Sequence, residues 1–151
     1  MQIREIKEQK KDFLPLLLLA DEQESMIDRY LERGTLLALY EGVENDPVAV
    51  CVITDEGGGT AELKSLVVAP DYQRKGYGRK MVEFAAERCK GSFSTLLVGT
   101  GDSPLTVPFY EACGFVRSHV VKHFFTDHYD HPIYEAGKQL VDMVYLRMEL
   151  L

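Results

Sequence analysis

A basic loop that carries two glycines stands between an apolar run and a helical pattern near the middle of the chain. The loop is Gln73–Gly78, and the apolar run before it ends at Val68. A loop that opens a helix directs unpaired backbone N–H groups, and the positive end of the helix dipole, toward one point. Glycines at 76 and 78 let an anion approach the backbone closely. Four cations surround them: Arg74, Lys75, Arg79 and Lys80. The pattern therefore predicts a phosphate or pyrophosphate site.

Two better-known phosphate loops are excluded by their spacing. A nucleotide-binding Walker A loop ends in Gly-Lys-Ser/Thr, whereas Gly78 is followed by Arg79 and Lys80. The dinucleotide fingerprint needs a third glycine three residues after the second, where this chain has Met81. A helix start with glycines in a tight turn and solvated charges remains open as the alternative interpretation.

The elements that position this loop follow from the changes of hydrophobic period along the chain. The predicted order is β-α-α-β-β-β-α-β-α-β-β, which indicates a mixed α/β fold with a mostly antiparallel sheet and helices on both faces. Helix starts are predicted where Asp12 could cap, where Asp21 and Glu24 could form a capping box, and where Ser103 could cap. A turn is predicted at 44–47 from its Glu-Asn-Asp-Pro sequence. The strands are predicted at Gln2–Ile6, Thr35–Tyr40, Val48–Thr54, Ala61–Val68, Phe93–Val98, Phe115–Phe124 and Leu140–Leu150.

Length, charge and cysteine content limit the classes of function. A chain of 151 residues suits one domain, 1–151. The net charge of -7 argues against a nucleic-acid partner, which needs a surplus of Lys and Arg. The longest strongly apolar run, Phe13–Ala20, is too short to span a membrane. Three separated cysteines, Cys51, Cys89 and Cys113, form no metal or redox motif, and the N-terminus lacks a signal-peptide core, so a cytoplasmic protein is expected.

Two motifs in register resemble the GNAT superfamily of acetyltransferases. Gln73–Gly78 is similar to the family's Q/R-x-x-G-x-G/A signature, and it lies between a strand and a helix as in that family. Phe109–Phe115 is similar to the family's second motif, in which an apolar residue and Tyr precede x-x-x-Gly-Phe. The element order also matches, so the resemblance covers nearly the whole chain. The resemblance implies a bacterial enzyme that uses acetyl-CoA and no metal.

The resemblance implies a binding site for coenzyme A along the strand and the loop. The strand backbone would pair with the pantetheine arm, through Leu66, Val67 and Val68. The loop and helix start would wrap the pyrophosphate, through Gln73, Arg74, Lys75, Gly76, Tyr77, Gly78 and Arg79. Many family members carry Asn seven positions before the motif tyrosine and Ala four before it, where this chain has Ser103 and Thr106. Ser103 is kept as a candidate CoA contact.

The resemblance also implies catalytic roles. Tyr110 would be the general acid, because a phenol with a pKa near about 10 stays protonated at neutral pH and can serve a leaving thiolate. The N–H of Val68 would stabilise the oxyanion. Glu62 has the placement of a catalytic glutamate found in some members. A packed core tyrosine, a solvated strand-end carboxylate, and a chain of waters acting as base are the alternatives.

The segment 124–135 is dense in aromatic and ionisable residues and resembles the tail of a subgroup of small bacterial members. In the family this end of the sheet borders the acceptor site. Four residues are therefore predicted to line the acceptor pocket: Phe125, His128, Tyr129 and Glu135. A loop packed by its own aromatics, or a dimer contact, is the alternative. The histidines of this region match no zinc spacing, so no metal is expected.

The combined prediction is an N-acetyltransferase that moves acetyl from acetyl-CoA directly to a primary amine of an unidentified small molecule or peptide. Its rival is a non-catalytic acyl-CoA-binding regulatory module. The full second motif around Tyr110 favours the enzyme, since a binding module does not need this tyrosine. Because dimers are common in the family, the resemblance also allows a homodimer.

Overall fold

The computed structural model describes residues 1–42 and 46–151. Glu44 and Asn45, half of the predicted 44–47 turn, lie outside the described residues. Short 3-10 helices stand at Lys10–Phe13 and Pro70–Tyr72. The other elements are β1 (Gln2–Ile6), α1 (Leu14–Leu17), α2 (Glu24–Ile27), β2 (Thr35–Tyr40), β3 (Ala49–Gly57), β4 (Thr60–Val68), α3 (Tyr77–Cys89), β5 (Thr95–Gly101), α4 (Val107–Ala112), β6 (Val116–Val121), α5 (Phe124–His128), β7 (Tyr134–Glu135), β8 (Lys138–Gln139) and β9 (Met143–Glu149).

A seven-stranded mixed sheet has the order β1-β2-β3-β4-β5-β9-β6. Among the described strands, β4 and β5 are the parallel pair, and α3 makes the crossover between them. All other neighbours in the sheet are antiparallel. The predicted mixed, mostly antiparallel sheet is therefore confirmed. No helix within the described ranges is long and apolar enough to cross a membrane.

The sheet has an apolar layer on each face because side chains alternate along its central strands. In β2, Leu37 and Leu39 face the layer that holds α3 and α4, together with Met81 and Val82. Leu36 and its even-numbered neighbours face the layer that holds α1 and α2. Helices therefore cover both faces, as the sequence predicts.

A β-bulge in β4 determines where the sheet opens. Val52 of β3 pairs with Ser65, whereas the next residue, Ile53, pairs with Leu63, so Lys64 is an extra residue in β4. The bulge reverses the side-chain phase: Ala61 and Leu63 face the α3 layer before it, and Leu66 and Val68 face that layer after it.

The β4–β5 pair separates at the same point. Its parallel pairing runs only from Thr60 with Thr95 to Leu63 with Val98. Beyond Leu63, β5 continues to Gly101 against β9, while β4 continues to Val68 against β3. The two strands therefore diverge, and the edge of β4 that faces β5 has no described strand partner from Lys64 onward.

The two predicted caps in the first helical region are wrong. Asp12 lies inside a 3-10 helix whose N-cap is Gln9, and Gln9 caps with no side-chain hydrogen bond. Asp21 and Glu24 form no capping box, because Gln23 precedes α2 and Asp21 bonds elsewhere. Helix α2 ends at Ile27, and turns rather than helix continue to Gly34.

Corrections also apply to the second half. Helix α4 begins at Val107 with Thr106 as its N-cap, so the predicted cap at Ser103 is wrong, and Pro108 occupies the first turn. The predicted order lacked α5 and the β7–β8 hairpin, which form between β6 and β9. The aromatic segment thus has regular structure of its own, because Phe125, Ile133 and Leu140 pack into a small separate core.

Candidate active site

The divergence of β4 and β5 opens a cavity of about 410 Å³. Its floor is formed by residues 63–68 of β4 and 98–101 of β5, with Thr106 and Tyr110 from the α4 region. The loop 19–22 before α2 contributes a second wall, and residues of α5 and the hairpin close a third. The bulge and the parallel crossover therefore place a deep opening at the carboxyl ends of the two strands.

The predicted anion loop stands at one end of this cavity, where Gln73 is among the lining residues. Gly76 is the N-cap of α3 with a φ of 87°, a left-handed conformation that favours glycine. Arg74 also has a positive φ of 63°. The first helical hydrogen bond of α3 runs from the Lys80 N–H to the Gly76 carbonyl. The N–H groups of residues 77–79 therefore lie in the first turn, where a helix offers them no partner of its own.

Open space lies above the loop, whereas its underside is tightly packed. A Cβ atom built at Gly76 has no neighbour within 4 Å among the described atoms. At Gly78 a Cβ atom would lie 3.2 Å from the Phe109 ring and 3.7 Å from Val68. The two sequence motifs thus meet in space, since Gly78 of the first packs on Phe109 of the second.

Some polar side chains of the loop make hydrogen bonds or ion pairs with other residues of the chain. The Gln73 amide donates to the Val68 carbonyl at 3.1 Å, which ties the loop to the end of β4. The Tyr77 hydroxyl donates to Glu41 at 2.7 Å, so this residue offers a ligand its backbone N–H. Arg79 pairs with Glu83 at 3.2 Å. Arg74 and Lys75 are exposed and present positive charge to the open side.

Among the strand residues predicted to bind coenzyme A, the side chains divide between the two layers. Leu66 and Val68 are half-buried on the α3 side, and Val67 is buried on the α1–α2 side. All three line the cavity, and they belong to the part of β4 whose edge toward β5 has no described strand partner. An extended ligand chain could add to this edge as a strand does.

Tyr110 lies in the cavity and is only 8% exposed. Its ring makes edge-to-face contacts with Phe109 at 5.1 Å and Phe115 at 5.7 Å, which fix its orientation. Burial is the main reason that the pKa of Tyr110 is raised, and Cys113, Cys51 and Glu135 nearby add to it. Within the described part of the chain its hydroxyl makes no recorded hydrogen bond. Tyr110 therefore contributes to the cavity lining a phenol whose raised pKa favours the protonated form at neutral pH.

Glu62 occupies a different cavity, of about 340 Å³, on the α2 side of the sheet. Its carboxylate pairs with the Lys64 ammonium at 3.1 Å, and its side chain is 9% exposed. Burial raises the pKa of Glu62, and Lys64 opposes the shift. Lys64 also lines the first cavity. The structure thus brings Glu62 to a compartment adjoining that of Tyr110, and not into the same one.

Ser103 lies apart from both cavities. It is buried, its hydroxyl accepts the Leu105 N–H at 3.1 Å, and its carbonyl accepts the Val107 N–H at 3.2 Å. Its place in the lining is taken by Thr106, whose hydroxyl lies 2.7 Å from that of Thr100. Sequence reasoning mentioned Thr106 only as a departure from the family pattern.

Three of the four predicted acceptor residues line the Tyr110 cavity: Phe125, Tyr129 and Glu135. Phe125 and Tyr129 stack with ring centroids 5.6 Å apart. His128 is exposed and lies outside this lining, with its ring 4.6 Å from Phe124. His128 ends α5 and packs on Phe124, four residues earlier on the helix, whereas Tyr129 follows the helix in extended backbone and stacks on Phe125.

Asp21 joins two walls of the cavity and was missed as a site residue. It accepts hydrogen bonds from Tyr129 at 2.7 Å and from Tyr30 at 3.0 Å. Burial raises the pKa of Asp21, and these two hydroxyls oppose the shift. Glu22 contacts His131 at 2.8 Å in the same region. The sequence offered a carboxylate between an apolar run and a helix, which is equally typical of a helix cap.

We expect Tyr129→Phe to lower the free energy of unfolding by about 1–3 kcal/mol, because Asp21 would keep a half-buried oxygen without its donor. Urea denaturation at neutral pH measures this loss. Tyr134→Phe is the matched control, since the Tyr134 side chain is 62% exposed and should change stability by no more than about 0.5 kcal/mol. Equal stabilities of the two variants would show that the Asp21 contact contributes nothing.

A mixed sheet whose parallel strands part beside a basic, glycine-bearing helix start, with a tyrosine in the gap, is the fold and site arrangement of an acyltransferase. A family model for the acetyltransferase (GNAT) domain matches residues 32–117. The chain therefore belongs to the GNAT family of N-acetyltransferases, as the two motifs predicted.

Individual relatives agree over nearly the full length. An uncharacterized N-acetyltransferase of Bacillus subtilis strain 168, YvbK, is 36% identical over 149 residues, 97% of this chain and 95% of the relative. A GNAT acetyltransferase structure from Elizabethkingia anophelis with acetyl-CoA bound has a TM-score of 0.92 at 31% identity, and the match covers 99% of this chain and 97% of that one. A Bacillus subtilis acetyltransferase in complex with CoA has a TM-score of 0.90 at 34% identity, with 99% of each chain covered.

Proposed function

We propose that this enzyme transfers the acetyl group of acetyl-CoA directly to a primary amine of a small molecule or peptide. The observation that carries the proposal is the place of Tyr110, which lines the cavity where β4 and β5 part and whose raised pKa favours the protonated phenol. The anion loop lies at one end of that cavity. The neighbours from Elizabethkingia anophelis and Bacillus subtilis hold acetyl-CoA and CoA respectively, which supports the same donor here.

Coenzyme A would enter with its pyrophosphate at the loop and its pantetheine arm along β4. The open first turn of α3 supplies N–H donors from residues 77–79, and the exposed side chains of Arg74 and Lys75 supply positive charge. The edge of residues 66–68 that has no described strand partner supplies backbone hydrogen bonds to the pantetheine amides. This arrangement brings the thioester toward Tyr110.

Acetyl transfer needs a neutral amine, a stabilised oxyanion and a protonated leaving group. The amine nitrogen attacks the thioester carbonyl carbon, and the Val68 N–H stabilises the oxyanion that forms. The carbon–sulfur bond then breaks, and Tyr110 gives its proton to the departing thiolate. The amide and the free thiol of CoA are the products. Of the two protons that the ammonium nitrogen loses, one replaces the Tyr110 proton and the other is released.

A base must first remove that ammonium proton. A lysine-like amine with a pKa near 10.4 is almost entirely protonated at neutral pH, which costs about 4–5 kcal/mol to reverse. Glu62 is one proposed base, because its raised pKa makes it a better proton acceptor than an ordinary carboxylate. Its position in the neighbouring cavity means that it would act through Lys64 or through water.

An amine fits the charges around the acceptor end of the cavity. The ionisable groups lining the cavity include three carboxylates and one ammonium: Asp21, Glu22, Glu135 and Lys64. Lys64 is already paired with Glu62 outside the cavity lining. A cationic acceptor is therefore favoured electrostatically over an anionic one.

The test compares amines with alcohols of the same shape. Release of the CoA thiol from acetyl-CoA would be followed with phenethylamine, n-butylamine and spermidine, and with 2-phenylethanol and n-butanol as matched controls. We expect release that depends on an amine and is absent with the alcohols. Release that is equal with and without any amine would contradict the proposal.

A further inference from the structure

The Glu135 carboxylate has one oxygen that no other part of the described chain satisfies. Its Oε2 atom is fully buried, and it finds no hydrogen-bond donor within residues 1–42 and 46–151. Glu135 stands in β7, at the wall of the cavity that contains Tyr110. A buried acceptor without a donor is costly, so such groups in folded proteins call for a specific explanation.

Apolar packing holds the hairpin of Glu135 over the cavity. Ile133 and Leu140 pack with Phe125, and the Leu140 N–H donates to the Ile133 carbonyl at 2.8 Å. The Phe125 N–H in turn donates to the Val141 carbonyl at 2.9 Å. These contacts fix the backbone of the hairpin beside the cavity, where Glu135 is half-buried.

The charged and titratable groups around Glu135 come from several elements. Tyr110 of α4 is close enough for the Glu135 charge to influence its pKa. Asp21 and Glu22 of the loop before α2 and Lys64 of β4 line the same cavity, with Tyr129 and Tyr134. Lys138 lies opposite Glu135 in the β7–β8 register. Lys64 is paired with Glu62 and Lys138 is exposed, so neither supplies the donor that Oε2 lacks.

We infer that Glu135 receives the proton of the acceptor's ammonium group, and that the acceptor is a primary amine bound in its protonated form between Glu135 and Tyr110. This inference rests on the proposed acetyl transfer. The ammonium donates to the buried Oε2, and its proton passes to the carboxylate. The freed electron pair on nitrogen forms the bond to the acetyl carbon as the carbon–sulfur bond breaks, and the thiolate takes the Tyr110 proton. The second proton that the nitrogen loses as the amide forms passes to solvent.

Glu135 and Glu62 differ in whether a cation of the protein already pairs with the carboxylate. Glu62 has an ammonium partner at 3.1 Å in the structure, and a second cationic partner would compete with it. Glu135 shares its cavity with the tyrosine that must be reprotonated after each turnover. A proton taken from the amine by Glu135 can thus return to Tyr110, directly or through water, before the next cycle.

The experiment compares Glu135→Gln with the wild type and with Glu111→Gln, an exposed glutamate on the same helix as Tyr110. With phenethylamine as the probe, we expect kcat of Glu135→Gln at pH 7 to fall by about 100-fold or more. The loss should shrink as the pH rises toward the pKa of the amine, near about 10, because the free base then needs no acceptor for its proton. Glu111→Gln should match the wild type at every pH.

Two results would overturn the inference. An unchanged kcat in Glu135→Gln, or a raised KM with kcat unaltered, would show that Glu135 accepts no proton. If the wild type acetylates neither phenethylamine, n-butylamine nor spermidine, the proposed function fails, and binding tests Glu135 separately. Calorimetric titration of phenethylamine into the CoA-loaded protein should then give weaker binding for Glu135→Gln, and equal binding would contradict its role.

Discussion

Replacing Tyr110 with phenylalanine is expected to lower kcat for acetyl transfer by about 100-fold or more and to leave acetyl-CoA affinity unchanged. The ring contacts with Phe109 and Phe115 survive the substitution, so the fold and the cavity are kept. The substitution removes the hydroxyl proton that the leaving thiolate would receive. Steady-state kinetics and calorimetry of acetyl-CoA binding, on the same preparations, measure the two effects separately.

The matched control for this variant is Tyr40→Phe, which removes a buried tyrosine hydroxyl on the other face of the sheet. It should retain wild-type kinetics. Because burial raises the pKa of Tyr110, the group keeps its proton at and above its ordinary value of about 10. The wild-type rate should therefore show no alkaline decline from this group below about pH 10. A Tyr110→Phe enzyme with full activity would remove Tyr110 from the mechanism.

Gly76→Glu is expected to weaken acetyl-CoA binding by about 100-fold or more. The substitution places a carboxylate in the open space above the loop, where the pyrophosphate would lie. Like charges in contact with the phosphates would repel them, and the new side chain would block the N–H groups of the first turn. Calorimetric titration with acetyl-CoA measures the affinity directly.

The chain offers a close control for the backbone strain of this variant. Gly91 has a φ of 85°, against 87° for Gly76, and a Cβ atom there also has no described neighbour within 4 Å. Gly91→Glu therefore carries a similar conformational cost and the same added charge, at a site away from the loop. It should bind acetyl-CoA as the wild type does. An equal loss of acetyl-CoA affinity in both variants would show that the effect comes from folding and not from the loop.

The parts of the site that the sequence predicts are those carried by local motifs. The loop at Gln73–Gly78 and the motif at Phe109–Phe115 each fix a short stretch of backbone, and the structure brings them into contact through Gly78 and Phe109. The β-rich run Thr35–Tyr40 likewise predicts β2 at its observed bounds. In each instance the residues that determine the structure are neighbours in the chain.

The parts that the sequence could not predict depend on contacts between distant segments. The bulge at Lys64 exists only in the register with β3, and a single strand carries no mark of it. Asp21 has the sequence signature of a helix cap, but tyrosines from α5 and the α2 region compete successfully for its carboxylate. The unsatisfied oxygen of Glu135 is a property of the folded cavity. The local propensities of the residues carry no information about these three features.

A single-turnover reaction tests the central claim of amine acetylation most directly. Excess protein would be mixed with acetyl-CoA carrying carbon-13 in its carbonyl and with phenethylamine, n-butylamine and spermidine in turn, and the label followed by NMR. We predict that the carbonyl signal moves from the thioester to the amide of at least one amine as CoA thiol appears. A thioester that stays intact on protein that binds it would contradict this account and would favour an acyl-CoA-binding module without turnover.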